Sequence, residues 1–503
     1  MRPTTPTKEG EKAKERSTPA PELSTADTAA GEDLSKFAGA GSGAKLPQIL
    51  SEPATSADTS GSSSAAEEEF AGAGSGAVSP KKLQTITFIG SGQVSAVLAG
   101  LIAIHNRTLT PEKKVKISIL GKKGSESLSS MAEKGIVLNM PDGNIHTITN
   151  EEISFSDNPE ELGKQDHIFI AVKTTAYEDQ ATLKDLLKKI EILSKEGLEK
   201  DGKKTTITFG QNGIPFWFRA KGEALASVDQ GNQIFAWSRN KKVVKSVLNF
   251  GCSVAYDPDG SIDHHTYNVA TAIEKISVPM QSSTEGRNVV ALRYIFRNSG
   301  ISTAVDELSI EKELFLKMQV NASISGLSTI TGKTIGEMIA DLELKNVILA
   351  VAAEINNLSE SITGRTLKTA DDLILRLNNS LTHRSSMCRD FESGNQLELK
   401  GIYNSVKELS DKYELPRLNV VHKISKILTN MVTLRDEMIG KSGEKINFQE
   451  ITKAVRGNTE IQEKMQDLKA QATVMLPSPG TAPTSTKLTP SRLAAPSIAI
   501  TSP

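Results

Sequence analysis

The strongest constraint on the fold is an apolar run that ends in a glycine-rich turn. Leu83–Gly90 (LQTITFIG) has the composition of a buried strand, and Val94–His105 has that of an apolar helix. The turn between them reads Gly90-Ser-Gly-Gln-Val-Ser95. Its first glycine allows a tight turn, its second lets the backbone approach a pyrophosphate, and the helix N-terminus offers N–H donors. The turn therefore predicts a dinucleotide site, with a plain glycine-rich turn as the alternative.

Strands and helices alternate beyond this turn. Strands are predicted over Lys116–Leu120, His167–Val172 and Thr205–Phe209, and a helix is predicted around Glu126–Lys134. Strands separated by helical segments indicate parallel βαβ units. We therefore expect an α/β fold with a Rossmann-type dinucleotide-binding domain.

The end of the second predicted strand bears on the choice of cofactor. An NAD site places an acidic residue there, where it binds the ribose hydroxyls. This chain has Lys122 and Lys123 instead, with no acid between Leu120 and Ser125. Positive charge suits a 2′-phosphate, so NADP(H) is the expected cofactor. Two solvated lysines on a turn are the alternative.

Helical patterns replace strands from Ser309 onward. They cover Ser309–Thr329, Thr334–Leu358, Asn395–Lys412 and Arg417–Asp436. We expect a Rossmann-type NADP-binding domain over residues 81–308 and an all-helical domain over residues 309–440. A loosely held helical appendage and a disordered tail are expected over residues 441–503.

The N-terminal arm has a different composition. Of residues 1–80, 51 are Ala, Gly, Ser, Thr or Pro, and the only aromatic residues are Phe37 and Phe70. Such a segment buries too little apolar surface to offset the entropy of ordering its backbone, so we expect disorder. The octapeptide FAGAGSGA begins at Phe37 and again at Phe70, which is compatible with a spacer or with a docking motif for a protein partner.

Charge and cysteine content exclude several classes of protein. The chain has 59 Lys and Arg against 60 Asp and Glu, so no general attraction to nucleic acid or anionic lipid is expected. Cys252 and Cys388 lie far apart, which argues against a disulfide framework or a zinc site and favours a reducing compartment. His264-His265 is interpreted as loop, with no metal. The apolar run Phe88–Ile104 is short for a membrane span and is interrupted by Gly, Ser and Gln. We expect a cytoplasmic protein, and a homodimer is compatible with the sequence.

Four further segments follow the glycine turn in a characteristic order. They are Val172-Lys173, then Gln211-Asn212-Gly213-Ile214-Pro215, then Lys317 with Asn321, and finally Ser385-Ser386-Met387 followed by Glu398. Lys317 and Asn321 are four apart and so share a helix face. From about Leu83 to Leu428 this order resembles the ketopantoate reductases, the NADPH-dependent 2-dehydropantoate 2-reductases. The resemblance implies reduction of ketopantoate to pantoate for pantothenate and coenzyme A biosynthesis.

The resemblance also implies residue roles. Lys317 matches the catalytic lysine that donates a proton to the keto oxygen, and Glu398 matches the acid that binds the substrate hydroxyl and supports that lysine. Asn321 and Ser386 match substrate-binding residues. Ser325 replaces the usual asparagine near the substrate, and Asn212 is expected beside both substrate and nicotinamide. The turn and the resemblance together predict the cofactor-binding residues Gly90, Ser91, Gly92, Gln93, Val94, Ser95, Lys122, Lys123, Lys173, Asn212 and Gly213.

The chemistry of a 2-keto acid explains why these residue types are expected. Hydride arriving at the carbonyl carbon makes its oxygen an alkoxide, which a nearby ammonium stabilises and protonates. To transfer a proton near neutral pH, Lys317 should have a pKa below its usual value, through burial or through cationic neighbours. Glu398 would favour the charged form, so the two influences compete and the sequence leaves their balance open.

Alternative interpretations of these residues stay open. Ser386 as a helix cap, Glu398 as a solvent-facing acid and Lys173 as a surface lysine are the structural ones. The functional alternatives are a reductase of another branched 2-keto acid and a non-catalytic NADP-binding interaction protein.

Overall fold

The structure is a computed structural model. It describes residues 83–475 except for 178, 195–204, 211, 214–241, 245–246, 249–251, 257–261, 270–275, 280–286, 306–308, 368, 416–417 and 442–446. Both predicted arms lie outside the described residues, as do both copies of FAGAGSGA and three residues of the Gln211–Pro215 segment.

The central feature is a parallel sheet of six strands. The strands are β1 (Thr85–Ile89), β2 (Lys116–Leu120), β5 (Ile153–Ser156), β6 (His167–Ile170), β7 (Thr206–Phe209) and β8 (Lys242–Val244), in the spatial order β5-β2-β1-β6-β7-β8. Every neighbouring pair is parallel. This is the doubly wound dinucleotide-binding order. The chain adds β2 and β5 on one side of β1 and then returns to add β6, β7 and β8 on the other side. The predicted α/β class is confirmed.

Two smaller sheets were not predicted. The first has the order β10-β11-β3-β4, formed by Cys252–Tyr256, Ile262–Val269, Ile136–Asn139 and Ile145–Ile148. The second has the order β13-β12-β9, formed by Ser302–Val305, Ile276–Pro279 and Val247–Leu248. His264 and His265 lie on β11, so their assignment to a loop was wrong. His264 Nε2 is 3.6 Å from Glu126 Oε2, and His265 contacts Asp263.

Five helices accompany the sheets in the described segments of this half. They are α1 (Gln93–Asn106), α2 (Glu126–Lys134), α3 (Pro159–Leu162), α4 (Gln180–Leu193) and α5 (Arg287–Asn298). The helix α2 has the bounds expected from sequence, and Ser125 Oγ caps it by accepting from Leu128 N. A short 3₁₀ turn, Thr174–Tyr177, follows β6.

The helical half contains nine helices in the described part of the chain. They are α6 (Ser309–Thr331), α7 (Ile335–Ala340), α8 (Leu342–Thr363), α9 (Ala370–Leu377), α10 (Ser386–Glu392), α11 (Ser405–Lys412), α12 (Asn419–Lys441), α13 (Phe448–Arg456) and α14 (Thr459–Met475). A π-helical turn, Lys400–Asn404, precedes α11. The helix predicted over Thr334–Leu358 is divided at Asp341, whose carboxylate caps α8 by accepting from Leu344 N.

The core is continuous from the sheet into the helical half. One face of the sheet packs Ile170 and Phe209 against α4 and the helical half, and the other face packs Phe88 and Ile117 against α1 and α2. The last two helices belong to the same core, because Ile461 and Leu468 are fully buried within it. A loosely held appendage was expected over residues 441–475, and for α13 and α14 within that segment the expectation was wrong.

No helix among the described residues is long and apolar enough to span a bilayer.

Candidate active site

A cleft of about 750 Å³ lies where the sheet meets the helical half. Its sheet side is formed by the glycine turn at Gly92–Val94 and by residues that follow β6 and β7. Its helical side is formed by α6, by α10 and by the segment that leads to the π-helical turn. Open parallel sheets bind ligands at the carboxyl ends of their strands, where the strand order reverses, and the cleft occupies that position.

The glycine turn has the local geometry expected for a dinucleotide. Gly90 has φ +112°, and a side chain there would press on the Ala171 backbone 3.2 Å away. Gly92 caps α1, and a Cβ at this position would meet no atom within 4 Å, which leaves open space beside the helix N-terminus. Ser95 is fully buried. The residues present fit a pyrophosphate on the N-terminus of α1.

A group of three serines links this turn to the end of β2. Ser91 Oγ is 2.8 Å from Ser125 Oγ and 3.1 Å from Ser127 Oγ. Lys122 and Lys123 lie beside them, exposed and outside the residues that line the cleft. The hydroxyls and the two ammonium groups are suited to a phosphate on the adenosine ribose.

Three of the predicted residues line the cleft from one helix. Lys317, Asn321 and Ser325 follow one another at intervals of four along α6. Asn321 Nδ2 is buried and has no hydrogen-bond partner among the described residues. A buried donor of this kind is costly unless a ligand satisfies it.

Glu398 joins the helical half to the sheet. Its Oε1 accepts hydrogen bonds from the backbone N and from Oγ1 of Thr174, both at 3.1 Å, and its Oε2 accepts from Asn212 Nδ2 at 3.1 Å. Glu398 is only 6% exposed, so it is not a solvent-facing acid. Burial lowers the pKa of Lys317 to about 8, and the negative charge of Glu398 partly opposes that shift.

Lys173 lines the cleft on the sheet side, and Ser386 lines it on the helical side, on α10. Lys173 Nζ is 2.6 Å from Asp390 Oδ1 on α10. Ser385, and not Ser386, caps α10, because Ser385 Oγ accepts from Cys388 N at 3.1 Å. The exposed Ser386 at the start of the helix lines the cleft.

Two glycines that adjoin cleft residues permit close contacts with the segment of the π-helical turn. Gly213 has φ +78°, and a side chain there would overlap the carbonyl oxygen of Gly401 in the π-helical turn. Gly326, after Ser325, lies against Tyr403, whose Oη donates to the Ala322 carbonyl at 3.0 Å; a Cβ at position 326 would overlap that hydroxyl. π-helical turns within α-helical segments are frequent at functional sites.

Comparisons with known proteins agree with this geometry. The family described as "Ketopantoate reductase PanE/ApbA C terminal" matches residues 309–429. A curated 2-dehydropantoate 2-reductase from Mesorhizobium japonicum is 25% identical over 337 residues, which cover 66% of this chain and 93% of that protein. The resemblance to the ketopantoate reductase family is confirmed. The prediction of an oxidoreductase is confirmed with it.

Solved structures of ketopantoate reductases share the fold. A protein from Ralstonia solanacearum assigned to this group has a TM-score of 0.54 at 18% identity and matches 70% of this chain and 99% of its own. The 2-dehydropantoate 2-reductase from Methylococcus capsulatus has a TM-score of 0.51 at 15% identity and matches 70% of this chain and 97% of its own.

Several residues in the cleft or in contact with its lining were not anticipated from the sequence. Thr174 and Asp390 hold predicted residues in place, and Arg376, His383 and Arg389 add positive or titratable groups to the lining. Asp390 could have been predicted from the sequence, because it lies four residues after Ser386 and so on the same helix face. Cys252 enters the lining from β10, a strand that was not predicted; burial raises the pKa of its thiol to about 12.

Proposed function

We propose that this protein reduces 2-dehydropantoate to pantoate with NADPH, with Lys317 as the general acid. The observation that carries the proposal is the shared cleft. Lys317 has a pKa lowered to about 8 and lines the same cleft as the glycine turn at Gly92. This arrangement supports the transfer of hydride and proton to one substrate in the cleft.

The residues of the cleft supply the proton chemistry. A bound nicotinamide would supply the hydride to the keto carbon. Protonated Lys317 would stabilise the negative charge that develops on the keto oxygen and transfer its proton there. A pKa of about 8 suits this role near neutral pH, because the lysine gives up its proton readily and regains one from water.

The remaining polar groups suit an acidic substrate. Asn321 Nδ2, Ser386 and Ser325 offer hydrogen bonds, and Asn212 and Glu398 are positioned by their contact with one another. Among the residues that the structure describes, four Lys or Arg side chains line the cleft against two carboxylates, those of Asp390 and Glu398. The surplus of positive charge favours a carboxylate substrate.

The cofactor preference is proposed on the end of β2. No acidic side chain lies between Leu120 and Ser125, and Lys122 and Lys123 are exposed beside the three serines. These residues favour the 2′-phosphate of NADP(H) over the bare ribose of NAD.

The direct test measures oxidation of NADPH by the purified full chain with 2-dehydropantoate. K317A should lower kcat by about 10²–10⁴-fold, the range for loss of a general acid, and should leave NADPH binding intact. Lys312, on the same helix but outside the cleft lining, provides the matched control K312A. Absence of turnover by a folded chain that binds NADPH would contradict the proposal.

A second candidate is a reductase of another branched 2-keto acid. It is favoured by Ser325, which stands in the cleft where the resemblance implies an asparagine. A panel of 2-keto acids that differ in the side chain separates the two candidates by kcat/KM. A homodimer, a protein partner for the arms and a cytoplasmic location stay predictions.

A further inference from the structure

The short helix α10 lines the cleft with one face and contacts other helices with another. Ser386, Asp390 and Ser393 lie on the face that lines the cleft. Cys388 and Glu392, four residues apart, lie on another face and make their contacts away from the cleft. A helix of seven residues is too short to be stable alone, so its orientation depends on what holds this second face.

Arg456, the last residue of α13, holds that face. Its Nη1 donates to Glu392 Oε1 at 2.9 Å and its Nη2 to Cys388 Sγ at 3.4 Å. Its Nε donates to the carbonyl oxygen of Thr329 at 3.1 Å. Thr329 lies on α6, the helix that carries Lys317. A single guanidinium, whose donors form a rigid fork, therefore ties together α6 and α10, two helices that present polar groups to the cleft.

Two more side chains enclose the C-terminal end of α10. Arg435 Nη1 donates to the Asn395 carbonyl at 2.9 Å, and its guanidinium lies 5.2 Å from the centre of the Phe391 ring. Phe448 packs against Gly394, where a Cβ would overlap its ring. Arg435, Phe448 and Arg456 all lie beyond residue 429, where the match to the family ends.

We propose that Arg435, Phe448 and Arg456 form a C-terminal brace that completes the substrate site, with Arg456 as its main positioning residue. The brace fixes α10 so that Ser386 and Arg389 point at the keto acid. Among the described residues, Arg435, Phe448 and Arg456 contact α10, its C-terminal end and α6 and have no recorded contact with the glycine turn, so we expect the main effect of the brace to be on keto-acid binding. This inference rests on the proposed reduction of a 2-keto acid.

The kinetic test uses R456Q in the full chain. We expect the KM for the keto acid to rise about tenfold, the equivalent of one charge-assisted hydrogen bond, with kcat changed less than about twofold. The Kd for NADPH should not rise, because loosening α10 can only weaken the competition of Asp390 for Lys173. R456K should recover part of the loss, because an ammonium reaches one acceptor at a time. Glu392 keeps Arg384 as a partner, so R456Q leaves no isolated buried charge.

The matched control is K469M. Lys469 Nζ is 2.8 Å from Glu343 Oε2, an ion pair that ties α14 to α8 without touching α10. K469M should leave all kinetic constants unchanged. An equal rise in the keto-acid KM in K469M and R456Q would overturn the specific role of Arg456.

A second measurement does not depend on turnover. Amide hydrogen exchange, followed by mass spectrometry, should accelerate in residues 386–395 of R456Q and stay unchanged in α1. Unchanged exchange in residues 386–395 would refute the brace, even if the wild-type protein reduces ketopantoate. Accelerated exchange with an unchanged keto-acid KM would refute its part in substrate binding. If the wild-type chain has no turnover, the proposed function fails while the exchange result still tests the brace.

Discussion

Lys173 and Asp390 form an ion pair across the cleft, with 2.6 Å between Nζ and Oδ1. Lys173 follows the end of β6, on the sheet side, and Asp390 belongs to α10 on the helical side. The lysine side chain is half exposed and the aspartate is 14% exposed, so the pair contributes little to stability, on the order of 1 kcal/mol or less.

If Lys173 contacts the cofactor, Asp390 competes with NADPH for it. D390N should then tighten NADPH binding by up to about fivefold, because the competing pair is worth about 1 kcal/mol at most, and K173M should weaken it. Fluorescence titration of NADPH measures both. D411N is the control, since Asp411 pairs with Lys407 outside the cleft. Equal NADPH affinity in wild type and K173M would remove Lys173 from the cofactor site.

The lowered pKa of Lys317 predicts the pH dependence of the reaction. A general acid must be protonated, so kcat should fall as the pH rises through about 8. Glu398 raises the pKa of Lys317, and E398Q should therefore move this fall to lower pH. E408Q, at an exposed position of α11, should not move it. An unchanged pH profile in E398Q would show that Glu398 does not act on the lysine.

The same shift makes a prediction about stability that needs no activity. Between pH 8 and 10.5 the unfolded chain keeps a proton on Lys317 that the folded chain has lost. The free energy of unfolding should therefore rise with pH over this range, by the linkage between proton binding and folding. Urea unfolding at several pH values measures the slope. K317M should lose this contribution, and K312M should keep it.

The two lysines after β2 predict cofactor choice. K122Q/K123Q should weaken NADPH binding by roughly tenfold and leave NADH binding unchanged, because only NADPH carries the extra phosphate. K113Q/K114Q is a matched control, since Lys113 and Lys114 are an exposed pair just before β2, at its other end. Equal losses for NADPH and NADH would contradict the assignment.

The contact of Gly213 with the Gly401 carbonyl allows a prediction of how much stability is lost when the sheet half and the helical half cannot approach closely there. G213A places a methyl group in the Gly401 carbonyl and forces a residue with a side chain to φ +78°, so it should cost more than about 3 kcal/mol of unfolding free energy. Gly300 also has a positive φ, +68°, but open space around it, so G300A should cost about 1 kcal/mol. Denaturant unfolding compares the two. Similar losses would mean that backbone strain alone limits position 213.

The sequence predicts four strands of the main sheet, β1, β2, β6 and β7, because they are mostly apolar runs, whereas β5 and β8 were not predicted. β2 has the predicted bounds, and β1, β6 and β7 differ from prediction by one or two residues at an end. The sheet with the order β10-β11-β3-β4 was not predicted, in part because β4 is short and largely exposed, so its hydrophobic pattern is weak. One signal was present, Pro141-Asp142-Gly143 between β3 and β4, a sequence typical of a hairpin turn.

The helical side of the site was predictable only in part. Lys317 and Asn321 share a face by spacing alone, whereas the partners of Glu398 come from segments 186 and 224 residues away. Such distant contacts leave no periodic signal in the chain. The C-terminal helices were underestimated for a similar reason, because Ile461 and Leu468 pack on helices that precede them by many turns.

The contact between Gly326 and Tyr403 makes the residue tolerated at one position depend on the residue at the other. The tyrosine hydroxyl occupies the volume that any side chain at position 326 would need. Among relatives of this protein, a bulkier residue at 326 should therefore coincide with a smaller one at 403. The two positions should therefore covary in evolution, and a side chain at position 326 should not be found opposite a tyrosine at position 403.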